Sequence, residues 1–170
     1  MENDGETVSA PSQALNRADL QRFVDKQRLE AVILPLEEHT ATVADAARVL
    51  GVRSEQIIKS LVFLVEGEPL LLINNGETKV DRRKLAARLS VGRKRIKFAT
   101  PDQALSVTGY VVGSMPPFGH LQKLKTFVDP AVVDQAVVFG GGGDIDAMMR
   151  LDPQELLRVT GAEVLDISVA

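Results

Sequence analysis

Residues 113–120 read Gly-Ser-Met-Pro-Pro-Phe-Gly-His, and no other stretch of the 170-residue chain is so restricted in its backbone. Two adjacent prolines fix φ and disfavour helix before them, while Gly113 and Gly119 permit turns and close approach by another group. Two readings remain open. The stretch is either a binding loop, with backbone N–H groups aimed at a carbonyl or oxyanion and Ser114 and His120 adding side-chain hydrogen bonds, or a rigid connector between two strands.

The length suits one domain, and with six Phe, one Tyr and no Trp the core must be mainly Leu, Val, Ile and Ala. No cysteine is present, which excludes disulfides, a thiolate zinc site and a cysteine nucleophile. The two histidines, His39 and His120, stand in no metal-binding spacing, and there is neither a Gly-x-Ser-x-Gly elbow nor a Walker loop. No apolar run reaches membrane-spanning length, and residues 1–10 lack the basic start and apolar centre of a signal peptide. The expectation is a soluble, cytoplasmic protein with no metal and no cofactor. Residues 1–14, polar and without apolar period, are expected to be a disordered tail before a single domain over 15–170.

Charge is unevenly placed. Residues 79–97 hold nine Lys or Arg and one acid, Asp81, whereas residues 129–170 hold eight acids against Arg150 and Arg158. Lys79, Arg82, Arg83, Lys84, Arg88, Arg93, Lys94 and Arg95 are therefore candidates for meeting a polyanion, the alternative being a solvated basic helix and loop.

Hydrophobic spacing and cap residues predict helices over 17–28, over 43–50 between Thr42 and Gly51, over 82–89 after Asp81, after Thr100-Pro101, and from Asp152-Pro153 to Gly161. Asp129-Pro130 caps a short helical turn. Strands are expected at 31–36, 57–65, 70–74, 109–113, 126–128, 136–139 and 164–169, with Glu66-Gly67 turning the second into the third. Lys59 is anomalous in this pattern. It alternates with Leu61 and Phe63, so it must snorkel to an edge or face a polar pocket. Gly140, Gly141, Gly142 and Gly143 after Phe139 suggest either a backbone that approaches something closely or a flexible spacer.

Several separated motifs occur in one order: Ile58-Lys59-Ser60-Leu61-Val62-Phe63, Val80-Asp81-Arg82-Arg83-Lys84-Leu85, Thr108-Gly109-Tyr110-Val111-Val112-Gly113 running into Pro116-Pro117-Phe118-Gly119-His120, the glycine run after Val138, and Leu151-Asp152-Pro153. In these the chain resembles the YbaK/prolyl-tRNA-synthetase-associated domain family of aminoacyl-tRNA deacylases, over residues 32–167. The resemblance implies a single mixed α/β domain, a curved mixed β-sheet surrounded by helices, whose pocket hydrolyses the ester between a wrong amino acid and its tRNA. It matches the family's lysine to Lys59 as the catalytic residue. Substrate contacts are matched to Thr42, Ser60, Gly113, Ser114, Met115, Pro116, Pro117, Phe118, Gly119, His120, Phe139, Gly140, Gly141 and Gly142.

Where the cysteinyl-tRNA(Pro) deacylases of the family carry a tyrosine and two serines, this chain has Thr42, Pro116 and Phe139. That points away from cysteine. A small cavity formed by Met115, Phe118 and Phe139 would favour a small amino acid such as alanine. The leading expectation is a freestanding trans-editing hydrolase for a small amino acid on tRNA(Pro) or a related tRNA, with aminoacyl-tRNA and a synthetase as partners. A noncatalytic tRNA- or aminoacyl-binding module and a small-ester hydrolase unrelated to tRNA are the alternatives.

Overall fold

The computed structural model describes residues 13–40 and 42–169, so most of the expected tail lies outside the described residues. In chain order the elements are α1 (Arg17–Lys26), β1 (Val32–Pro35), α2 (Val43–Leu50), β2 (Ile58–Val65), β3 (Glu68–Asn75), α3 (Arg82–Leu89), β4 (Ile96–Phe98), α4 (Pro101–Thr108), β5 (Lys125–Val128), α5 (Pro130–Val133), β6 (Val138–Gly141), β7 (Ala147–Leu151), α6 (Pro153–Thr160) and β8 (Glu163–Val164). The mixed α/β class stands as expected. The strands form two sheets: a five-stranded one in the order β4-β2-β3-β5-β8 and a three-stranded antiparallel one in the order β1-β7-β6. A parallel bridge between Ile57 and Phe139 joins them.

Local chemistry explains most boundaries. Asn16 caps α1 reciprocally with Asp19, Thr42 caps α2, Thr100 and Gln103 form a capping box on α4, and Asp81, Asp129 and Asp152 cap α3, α5 and α6. The β2–β3 hairpin turns through Glu66 and Gly67, both at positive φ, and pairs Ile58 with Asn75 through to Val65 with Glu68. Alternation along these strands separates two cores. Ile58, Val62, Leu71 and Ile73 face one with Leu20, Tyr110, Met149 and Leu156, while Phe63, Leu70 and Leu72 face the other with Leu85, Phe127 and Ile167.

Three expectations need correction. Residues 109–113 form no strand: Gly109 closes α4 at φ 84°, the Tyr110 N–H donates to Thr108 Oγ1 at 3.1 Å, and the chain turns straight into the Gly/Pro loop. The glycine run is not all loop. Gly140 and Gly141 belong to β6 and pair with Met149 and Met148 of β7, a strand that a Met-Met-Arg sequence does not advertise. The closing strand shrinks to Glu163–Val164, followed by one bridge between Val80 and Ser168.

Candidate active site

The candidate site lies along β2, between its pairing with β4 and its bridge to β6. On the side of β2 away from β3, β4 pairs only with Phe63 to Val65, and the bridge to β6 lies at Ile57. The Ala99 N–H extends this side to the Val62 carbonyl at 3.0 Å, so among the described residues the β2 edge over 58–61 has no strand paired to it on that side. A cavity of about 260 Å³ opens along it. Ile58, Val62, Ala99, Ala104, Met115 and Met148 make its walls apolar, and Thr42, Lys59, Ser60, Gly113 and Gly141 supply the polar edges.

Lys59 is the charged group of this cavity. It shares the face of Leu61 and Phe63, as its alternation predicts, and its Nζ donates to the Thr78 carbonyl at 3.1 Å. One bond leaves two ammonium hydrogens for a ligand. Burial, and secondarily the charge of Lys79, lowers its pKa below the ordinary lysine value. Directly across the hairpin from Lys59 stands Asn74, fully buried, whose amide nitrogen donates to the same Thr78 carbonyl at 3.1 Å. Asn74 thus helps hold the turn that anchors Lys59. Sequence reasoning missed it, although an asparagine closing the apolar run 70–73 was the available signal.

The Gly/Pro loop contributes its first half. Gly113 adopts φ 97°, a region a side chain rarely enters, and lines the cavity with Met115. Ser114 is fully buried, and both its N–H and its Oγ donate to the Val111 carbonyl, at 3.1 and 2.8 Å. Among the described residues no protein acceptor takes the backbone N–H of Gly113 or Met115. Gly141 of β6 lies so close behind the loop that a Cβ there would fall on the Met115 carbonyl, and the Gly143 N–H donates to the Ser114 carbonyl at 3.0 Å. The glycine run is therefore a backing for the first loop. Arg17 ties the end of that run to α1 through Asp144 at 2.6 Å and through Asp146.

The second half of the loop turns away. Pro117, Phe118, Gly119 and His120 line a separate cavity of about 210 Å³ with Phe23, Gln27 and Thr160. Phe118 stacks on Phe23 with ring centroids 5.3 Å apart. His120 donates from Nε2 to the Pro116 carbonyl at 2.8 Å, and burial pushes its pKa down to about 4, so it is neutral at pH 7. Phe139 packs with Ala46, Ala47 and Ile57, and Gly140 and Gly142 pack against Ile58 and Ala147. Of the three residues expected to shape a small pocket, only Met115 reaches the cavity, because Phe118 and Phe139 are spent in packing. Pro116 is buried and lines neither cavity, and its carbonyl is taken by His120.

The basic set also divides. Lys84 pairs with Asp166 at 2.8 Å, Arg88 with Glu163 and Arg95 with Glu66, both at 2.5 Å, so these three charges are compensated within the fold. Arg82, Arg83, Arg93, Lys94 and Lys97 line an open groove of about 630 Å³ and make no ion pair among the described residues. Lys79 lies close enough to Lys59 to depress its pKa. Among the described residues there is no group of three or more His, Cys, Asp or Glu able to hold a metal, and no helix is long and apolar enough to cross a membrane.

Residues 37–159 match the family model of the aminoacyl-tRNA editing domain. The chain belongs to that family. The Bacillus subtilis protein YwhH, uncharacterized, is 31% identical over 133 residues, covering 78% of this chain and 83% of that protein. A proline–tRNA ligase of Elusimicrobium minutum is 28% identical over 124 residues, covering 71% of this chain and 21% of that longer protein. Among solved structures, "a putative trans-editing enzyme for prolyl tRNA synthetase" superposes with a TM-score of 0.82 at 29% identity, covering 91% of this chain and 97% of that one.

Proposed function

We propose that this editing domain is a trans-acting deacylase that hydrolyses the ester of a mischarged tRNA, a small amino acid on tRNA(Pro) or a related tRNA, within the Lys59 cavity. The observation that carries the reading is the meeting, in one apolar cavity, of a lysine with spare hydrogens and two backbone N–H groups with no protein acceptor. The likeness to the structure described as a trans-editing enzyme for prolyl tRNA synthetase, 29% identical, supports action in trans.

An aminoacyl ester is already activated, so positioned donors and an oriented water suffice without a protein nucleophile. The N–H groups of Gly113 and Met115 hold the carbonyl oxygen as it gains negative charge. Water adds to the carbonyl carbon, the carbon–oxygen bond to the ribose breaks, and the ribose oxygen leaves with a proton. Lys59, held by Thr78, lies against the ribose side of the ester, where its ammonium stabilises the departing oxygen. Burial and Lys79 make that ammonium more acidic than a free lysine, which suits it to this place.

A panel of alanyl-, cysteinyl- and seryl-tRNA(Pro), each incubated with catalytic amounts of the protein, tests the reading. Multiple turnovers on one of them are expected. Stoichiometric binding of tRNA without release of any amino acid would replace the deacylase by a binding module.

A further inference from the structure

Between the cavity and the basic groove stands a half-exposed aromatic ring. Phe98 ends β4 at the edge of the five-stranded sheet and is 51% exposed, the most exposed aromatic side chain among the described residues. The residues on either side of it belong to different surfaces: Lys97 lines the basic groove, and Ala99 lines the Lys59 cavity. Phe98 itself forms part of the cavity mouth, with Val112, 59% exposed, also on the rim.

The ring is held from behind. Its cross-strand partner Phe63 is buried and meets it edge-on, with centroids 5.2 Å apart and planes at 70°. The Arg82 guanidinium sits 5.8 Å from the centroid of the Phe63 ring and also lines the groove. A braced, half-exposed aromatic beside a row of uncompensated cations is the combination that takes single-stranded nucleic acid, since every base offers a π-face and every linkage a phosphate.

We propose that Phe98 is a stacking platform for a nucleobase of the tRNA's single-stranded 3′ end, with the adjoining phosphates running into the groove of Arg82, Arg83, Arg93, Lys94 and Lys97. The inference rests on the editing reading above and adds where the nucleic acid lies. The ester enters the cavity at Lys59, the base rests on Phe98 at its mouth, and the backbone leaves over Lys97. Arg93 and Lys94 then meet phosphates without reading sequence.

The test uses the full chain and two RNAs, a stem-loop with a single-stranded 3′ end and the same stem ending blunt. Phe98→Ala should weaken binding of the first by between about fivefold and about a hundredfold, the range of one lost stacking contact, and leave the second unchanged. Phe98→Tyr should restore binding, and Phe98→Leu, which keeps apolar bulk without the aromatic face, should not. For a charged tRNA, Phe98→Ala should raise KM more than it lowers kcat. Reversing Arg93 and Lys94 to Glu should flatten the salt dependence for both RNAs. Equal binding of the overhanging RNA by wild type and Phe98→Ala, with deacylation intact, would overturn the platform and leave the editing reading standing. A wild type that neither binds RNA nor deacylates any charged tRNA would overturn both.

Discussion

The two halves of the Gly/Pro loop use the same backbone for opposite purposes. Gly113 and Met115, whose backbone N–H groups find no protein acceptor among the described residues, line the Lys59 cavity, whereas residues 117–120 line the cavity shared with Phe23 and α6, where His120 satisfies the Pro116 carbonyl. A donor costs no reorganisation during reaction only if something else holds it still, and behind the first half stands the glycine run, with Gly141 against the Met115 carbonyl and the Gly143 N–H donating to the Ser114 carbonyl.

Substitutions can separate the halves, beginning with the largest effect. Phe118→Ala removes a ring that is 4% exposed and stacked on Phe23, and it should cost about 3–5 kcal/mol of unfolding free energy in a denaturant titration. The fraction still folded should keep the wild-type kcat. Lys59→Ala should do the reverse, lowering kcat by about 10²- to 10³-fold, or about 3–4 kcal/mol, with little change in stability.

The pH dependence of the two halves should differ as well. His120 has its pKa lowered from 6.5 to about 4, so the folded state resists a proton that the unfolded chain accepts. Its contribution is complete above about 6.5 and is lost as pH falls towards 4, by about 3 kcal/mol at most, and His120→Phe should flatten that part of the stability profile. On the proposed mechanism, in which Lys59 acts as a cation, activity should instead fall on the alkaline side, at a pH below the ordinary lysine value of 10.5, because its pKa is lowered. A kcat profile through that range measures it, and Asn74→Ala, which loosens the Thr78 anchor, should shift its midpoint.

The smallest effect is expected at Gly113→Ala. A Cβ there has open space, with Ile145 3.9 Å away, so the cost is the strain of φ 97°, about 1–2 kcal/mol, together with a misaimed N–H. A larger loss in kcat than in stability would assign Gly113 to the chemistry.

Much of this was legible from the residues. Caps at Asn16, Thr42, Asp81, Thr100, Asp129 and Asp152 marked helix starts because each is a local transaction between a side chain and the next turn. Lys59 stood out because a charge in an apolar strand must have a reason. The division of the Gly/Pro loop between two cavities was not legible, since which way Phe118 turns depends on Phe23, distant in sequence. Nor was the role of Gly140 and Gly141, which answer to the Met115 carbonyl and to β7 rather than to anything adjacent in the chain. The basic set shows the same limit: Lys84, Arg88 and Arg95 look like their neighbours in sequence, and only the fold supplies Asp166, Glu163 and Glu66 to neutralise them.

The most direct measurement is single-turnover deacylation of the preferred charged tRNA by Lys59→Ala and by His120→Phe, with both variants at matched folded fraction. Lys59→Ala should lose the chemical step while still binding tRNA, and His120→Phe should retain the wild-type rate. A wild-type rate in Lys59→Ala, or a loss confined to His120→Phe, would place the chemistry in the other cavity and contradict the proposed role of Lys59.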